Sequence, residues 1–369
     1  MKFCVIGAGN GGRAFAVYLS SKGYQVNLYN RSFTRIIDIT NNGGIKASGE
    51  IKGNFPCNLV TQDLGKAVKN VDVIFIVVPA SAHKDIAEKI APYLSPDQII
   101  LLNPGRTFGA IEFRHVIEKN GITFPIFIAE TQTLVFTSRQ LKKNKVEILK
   151  IKDLIDFAAF PDKDTFFVYD TLKDIFPQLN PVDDYLEMTL NNIGMLLHPT
   201  LSLLNAGAMD CGKDFKFYTE GATKRMCEVL EAVQLELSRI FEILGLKQLR
   251  FCNWATETYG VKMNCIYKSI QNIKAYENIS APKQLITRYF TEDVPTGLVP
   301  ISSLAKFLGI ETPIIDSIIN LSSILCGIDF RNEGRTIEGL ALKNFIKKRI
   351  KTEELVNLRI IKEIPIKTF

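Results

Sequence analysis

Long apolar runs, paired cysteine spacings and histidines are all scarce in this chain of 369 residues, and each scarcity removes a class of function. No apolar stretch has the ~20 residues that a membrane-spanning helix needs. The longest, Val71 to Ala80, reads as a buried strand. The seven cysteines are an odd number without CxxC or other metal-ligand spacing. They read as small buried thiols of a reduced, cytoplasmic protein, and no metal is expected. Lys2 is followed by a very short apolar stretch and then at once by glycines, so the N-terminus does not read as a signal peptide. Internal repeats and low-complexity segments are absent. Net charge is +6, with one basic cluster at Lys343, Lys347, Lys348, Arg349 and Lys351. That cluster reads as the solvated face of a terminal helix rather than a nucleic-acid patch. Neither nucleic acid nor a membrane is an expected partner, whereas a mildly basic chain suits anionic small molecules.

What is present is an alternation of short apolar strands and helices in the first half. Residues 2–6 read as a buried strand, Gly7 to Gly12 as a glycine-rich turn, Arg13 to Ser21 as a helix ended by Gly23, and Gln25–Tyr29 as a second strand. Val73–Val78 is another strand, ending at Pro79, followed by a helix from His83 to Leu94. Gln98–Leu102 and Phe124–Ala129 are further strands. This alternation predicts an α/β Rossmann domain with a doubly wound, mostly parallel sheet over residues 1–182. From about Pro181–Tyr185 the texture changes, and residues 183–369 read as a mainly α-helical substrate and catalytic domain. Met226, Val229, Val233, Leu237, Ile240 and Leu244 recur at helical spacing, with Gly245 as the stop. Thr312-Pro313 opens another helix that ends near Gly327.

The glycines carry the first chemistry. In Gly7-x-Gly9-x-x-Gly12, Gly7 permits the turn, Gly9 lets the backbone approach a pyrophosphate, and Gly12 lets the helix pack on the strand. The amides of Gly9, Asn10, Gly11 and Gly12 then face the phosphates at a helix N-terminus. NAD-binding domains carry an acidic residue at the end of the second strand, for the ribose hydroxyl. Here Asn30, Arg31 and Ser32 stand in its place, with Arg35 nearby. An arginine and a hydroxyl without a carboxylate suit a 2′-phosphate, so NADP is the expected cofactor, with NAD as the alternative. Pro79, at the end of a parallel strand, joins the expected cofactor-binding set.

The chain has three histidines, His83, His115 and His198. His83 lies on the nucleotide side, and His115 falls in a charged helical stretch that reads as surface. His198 precedes Pro199, which places it at the mouth of a helix. From the residues alone, a core histidine and an acid–base are equally good readings of it. Thr291 to Gly297 holds Glu292 and Asp293 between Pro and Gly, and taken alone it reads as an exposed turn.

Three further segments give these residues a context: Ala129-Glu-Thr-Gln-Thr-Leu134, His198-Pro-Thr-Leu-Ser-Leu-Leu-Asn-Ala-Gly207, and Tyr289 through Pro300 with its Glu-Asp-Val-Pro. Together with the glycine turn and Gly334-Arg-Thr-Ile-Glu338, they make the chain resemble the opine dehydrogenases over nearly its whole length. That resemblance implies joining of an amino acid's amino group to a 2-oxo acid, with reduction of the imine by NAD(P)H. It implies His198 as the acid–base and Asp293 as its partner. One imidazole can both protonate a leaving hydroxyl and deprotonate an ammonium. A carboxylate on its far nitrogen would fix the tautomer and leave the other nitrogen free for substrate. Both substrates carry carboxylates, so an arginine is expected, with Arg106, Arg139 and Arg335 as equal candidates. The expected partners are therefore an amino acid and a 2-oxo acid, with a homodimer as the candidate assembly. Two other readings compete. One is a reductase of a simple 2-oxo acid or phosphorylated ketone, and the other is an NADP-binding sensor without catalysis.

Overall fold

Strand β1 (Lys2–Ile6) is apolar from Phe3 onward because both of its edges are paired and both of its faces are covered. It runs parallel to β2 (Gln25–Tyr29) on one side and to Val73–Ile76 on the other. Beyond β2 lies Leu59–Thr61, and beyond Val73–Ile76 lie Ile99–Leu102 and Phe127–Thr131, every pair parallel. Within this sheet the chain order is third, second, first, fourth, fifth, sixth, the doubly wound arrangement whose winding reverses beside β1. Ile155–Ala159 then adds antiparallel to Phe127–Thr131, and Leu179–Pro181 completes eight strands.

The computed structural model describes residues 1–142 and 144–350. It divides into one unit of Met1–Thr189 and a second from Leu190 onward. The sequence pattern put the change at 182/183. The first unit extends further because Thr189 is tied into it. Its hydroxyl accepts from the Phe108 N–H at 2.8 Å and donates to the Glu130 carboxylate at 2.7 Å. The Tyr185 hydroxyl reaches the same carboxylate at 3.1 Å.

One whole layer of the first unit is missing from the sequence reading. Ile45–Gly49, Gly53–Phe55, Phe136–Lys142 and Lys145–Ile151 form a separate four-stranded sheet. These strands mix exposed polar with buried apolar positions over very short lengths, so they give no apolar run to detect. Phe15, Phe75, Phe136 and Phe176 join the layers, with ring centroids 4.9–5.7 Å apart in tilted and edge contacts. The expected strand at Phe124–Ala129 begins instead at Phe127, since Pro125 has no N–H to give a neighbour.

The second unit is helical. Lys224–Leu244 buries Val233, Leu237, Ile240 and Leu244 of the expected stripe and ends at Gly245 in the left-handed region, φ 64°. Pro313–Cys326 ends at Gly327, φ 65°, as anticipated. Its first amides are satisfied from elsewhere. Buried Glu236 accepts from the N–H groups of Ile314 and Ile315 at 2.9 and 3.0 Å. Among the described residues no helix is long and apolar enough to cross a membrane. Lys343, Lys347 and Lys348 are exposed on a short helix, Lys343–Arg349, and Lys351 lies outside the described residues.

Candidate active site

In the first unit, helix α1 (Asn10–Ser21) starts three residues before the expected Arg13, directly after Gly9. No side chain caps it, so its first amides, at Asn10, Gly11 and Gly12, carry the helix's positive end. Each glycine of the motif has a distinct reason. Gly7 has φ 112°, and a side chain there would meet the Val77 carbonyl. A Cβ on Gly12 would collide with the carbonyl of Gly7. A Cβ on Gly9 would meet no protein atom within 4 Å, so that glycine borders open space. The turn therefore fits a pyrophosphate: close-packed on its protein side, open and amide-lined on the other.

The loop after β2 is held by its own side chains. Asn30 accepts from the Ala8 N–H at 3.0 Å and donates to the Ser32 carbonyl at 3.0 Å. It therefore joins the glycine turn to the segment that would meet the ribose. Arg31 and Ser32 are exposed, as is Pro79 at the end of Val73–Ile76. Gln62 fixes the Arg31 backbone by donating to its carbonyl at 2.7 Å. Arg13, which the sequence reading passed over, is fully buried. Its guanidinium donates to three carbonyls: Ala8 at 2.9 Å, Arg35 at 2.8 Å and Lys142 at 3.2 Å. Burial pushes its pKa down to about 10, with the Arg35 charge adding to the effect.

The second unit brings His198 and Asp293 together. His198 Nδ1 lies 2.8 Å from an Asp293 carboxylate oxygen, and the aspartate side chain is 1% exposed. Two expectations are corrected here. His198 is not at a helix mouth. Its helix, Ile193–Leu204, begins five residues earlier, capped by Asn192, whose side chain accepts from the Met195 N–H. Pro199 sits inside that helix, where it has no N–H for the Met195 carbonyl. Nor is Thr291–Gly297 an exposed turn. Glu292 through Gly297 are buried, and Val294–Leu298 winds as a single π-turn between two helices. A Cβ on Gly297 would collide with Met195, one turn before His198 on the same helix face. That close approach sets the carboxylate against the imidazole. Such π-turns are frequent at functional sites.

A third expectation also changes. The imidazole's other nitrogen, Nε2, is not left free, because the Tyr218 hydroxyl lies 3.1 Å from it. Tyr218 stacks on Tyr276 with centroids 4.0 Å apart, and Tyr289 stacks on the His198 ring at 4.4 Å. Burial pushes the Tyr218 phenol far above its usual range. Tyr289 is raised by burial too, and the nearby Arg288 charge opposes the rise. Neither Tyr218 nor Arg288 had a local signature in the sequence.

The other residues singled out are distributed over both units. Arg106 and Arg139 belong to the first unit, Arg106 half-buried with φ 63° and Arg139 exposed on Phe136–Lys142. Arg335 is 3% exposed in the second unit, its N–H donating to the Pro295 carbonyl at 3.0 Å. His83 is fully buried at the start of His83–Ile90. His115, expected on the surface, is half-buried, and that burial lowers its pKa. Among the described residues no group of His, Cys, Asp and Glu is placed to hold a metal ion.

Comparison with known proteins adds to this geometry. Residues 181–326 match the family described as NAD/NADP octopine/nopaline dehydrogenase, alpha-helical domain. Residues 2–104 match the NAD-dependent glycerol-3-phosphate dehydrogenase N-terminus. An opine dehydrogenase of Arthrobacter sp. (strain 1C) is 40% identical over 341 residues, 92% of this chain and 95% of that one. The fold matches an octopine dehydrogenase solved with NADH and agmatine, with TM-score 0.78, 20% identity, and 93% and 96% of the two chains covered. It also matches a yersinopine dehydrogenase solved with NADP+, with TM-score 0.76, 13% identity, and 95% and 98% covered.

Proposed function

Because the chain belongs to the opine dehydrogenase family, NAD(P)-dependent oxidoreductases that reductively condense an amino acid with a 2-oxo acid, we propose that His198 is its acid–base and Asp293 its orienting partner. The observation that carries this is the 2.8 Å contact between Nδ1 and a carboxylate withdrawn from water. Such a carboxylate holds the proton on Nδ1 and favours the imidazolium when it forms. His198 takes a proton from the substrate ammonium, freeing the amine to attack the 2-oxo carbon. It later returns a proton to the hydroxyl that departs as water, leaving the imine. The cofactor, when bound, supplies the hydride that reduces that imine. Membership of the family does not favour the alternatives of a simple 2-oxo acid reductase or a sensor.

We take NADPH as the preferred cofactor. The support is the set Asn30, Arg31 and Ser32, with two exposed members where an acidic residue would select NADH. Gly7, Gly9, Asn10, Gly11 and Gly12 form the pyrophosphate turn, and Pro79 borders it. For the substrate carboxylates, Arg288 joins Arg335, Arg106 and Arg139 as a candidate. Its exposed guanidinium bears on Tyr218 and Tyr289 beside the catalytic pair. The seven cysteines are all free thiols, which supports a cytoplasmic location. A homodimer is the proposed assembly, to be read by sedimentation.

The test is NADPH oxidation measured over a grid of amino acids with pyruvate, glyoxylate or 2-oxoglutarate. Turnover should require one member of each class. Oxidation at full rate with a 2-oxo acid alone would refute the condensation.

A further inference from the structure

Both imidazole nitrogens of His198 are engaged, Nδ1 by Asp293 at 2.8 Å and Nε2 by the Tyr218 hydroxyl at 3.1 Å. An acid–base whose outward nitrogen already faces a phenol has no bare lone pair to offer a substrate. The phenol is held rather than mobile. Tyr218 is 5% exposed, its ring is stacked on Tyr276 at 4.0 Å and 12°, and Phe217 meets it edge-on at 5.0 Å. The imidazole is held as well, with Tyr289 on its face at 4.4 Å and Asp293 behind it.

We propose that Tyr218 is a catalytic residue, the terminal member of an Asp293–His198–Tyr218 chain, and that protons pass between His198 and substrate through its hydroxyl. The proposal rests on the reading of His198 as the acid–base. The proton count balances in both directions. When the substrate ammonium is deprotonated, its proton moves to the Tyr218 oxygen and the phenol's own proton moves to Nε2. The amine is then free, the imidazole charged and the phenol unchanged. When water is lost, the imidazolium gives its Nε2 proton to the Tyr218 oxygen. The phenol gives its proton to the departing hydroxyl, and again ends as it began. A phenol suits this role because it donates and accepts through one atom. It never has to ionise, and its burial keeps the neutral form in place at every working pH.

The test compares wild type with Tyr218→Phe and His198→Ala in single turnovers. Each uses NADPH, pyruvate and the amino acid that wild type consumes fastest. Phe keeps the ring and its stack on Tyr276, and circular dichroism checks the fold. Tyr218→Phe should lower the rate roughly 10²-fold, within the span of a lost acid–base group. The proton inventory in mixed H₂O and D₂O should be curved in wild type, for two protons in flight, and linear in the variant. A second variant, with a fluorinated tyrosine at 218, keeps the ring and the hydroxyl and should change the rate in step with the phenol's acidity. Wild-type speed in Tyr218→Phe, an unchanged inventory, or indifference to fluorination would each overturn the relay. If His198→Ala also retains its rate, the acid–base reading falls with it. If only Tyr218→Phe does, that reading stands and the relay alone is wrong.

Discussion

Asp293→Asn is the most informative single substitution at the proposed catalytic pair. Asn has the size and shape of Asp, so the buried packing behind the helix Ile193–Leu204 is kept and no cavity opens. What is lost is charge. The carboxylate is 1% exposed and 2.8 Å from Nδ1, while the imidazole is 16% exposed, so solvent does little to replace it. A hydrogen bond to an ionised partner contributes about 1.5–3 kcal/mol net. At about 1.4 kcal/mol per tenfold, its loss from the charged transition state lowers kcat about 10- to 150-fold. Because the dinucleotide turn is in the other unit, Kd for NADPH should hold within about twofold. The assay is kcat from NADPH oxidation at saturating substrates, alongside Kd from quenching of protein fluorescence. The aspartate acts through the histidine, so Asp293→Asn placed on His198→Ala should add almost nothing. A single-variant kcat within threefold of wild type, or fully multiplicative losses in the double variant, would refute the reasoning.

Three further outcomes follow from the geometry of the first unit. Arg31→Ala should weaken NADPH by about 1.5 kcal/mol, the low end for a charge-assisted contact because Arg31 is exposed, and leave NADH unchanged. Equal losses in the two binding isotherms would remove Arg31 from the phosphate site. Gly12→Ala sets a methyl against the Gly7 carbonyl, so α1 must lift from β1. A loss of about 1–3 kcal/mol in unfolding free energy and of detectable NADPH binding is expected, and a variant with wild-type Tm would count against it. Lys152, which donates to Thr133 at 2.7 Å, has its pKa lowered to about 8 by burial, with the Arg106 charge acting the same way. Between pH 8 and the ordinary 10.5 the unfolded chain holds a proton that the native chain lacks, so this lysine makes stability rise with pH across that window. Lys152→Met should flatten the rise in urea titrations at pH 7.5, 9 and 10.5, and an unchanged slope would exclude Lys152 as its source.

What was legible in the sequence was what local chemistry dictates. Gly7 and Gly12 could be read because steric demand at each spot admits no other residue, and Gly9 because a backbone without a side chain is what lets a pyrophosphate approach. β1 from Phe3 onward and Val73–Ile76 could be read because strands covered on both faces are near-continuously apolar, and β2 because it follows the glycine turn and helix α1 at the short spacing of a β–α–β unit. The smaller sheet escaped because its strands are half-exposed and three to seven residues long. Pro199 misled because proline is favoured in a first helical turn, while here tertiary packing carries the helix through it. The Asp293 segment looked solvated by composition, and it is buried by packing against the helices Ile193–Leu204 and Pro313–Cys326, with Gly297 close against Met195. Tyr218 left no trace at all, since its meeting with Nε2 is created by the packing of three separate stretches of chain.

The bonding of Arg13 bears on the order in which the protein assembles. Its three acceptors belong to residues 8, 35 and 142, so the last arrives 129 positions further along the chain. Until the strand Phe136–Lys142 docks, a buried cation would keep a donor without an acceptor, an expensive state. The glycine turn, though drawn from the first dozen residues, is then completed late, as part of the same cooperative unit as the smaller sheet. Amides around Ala8 should accordingly exchange with deuterium only when the whole first unit opens, instead of with the quick local fluctuations usual in glycine-rich loops.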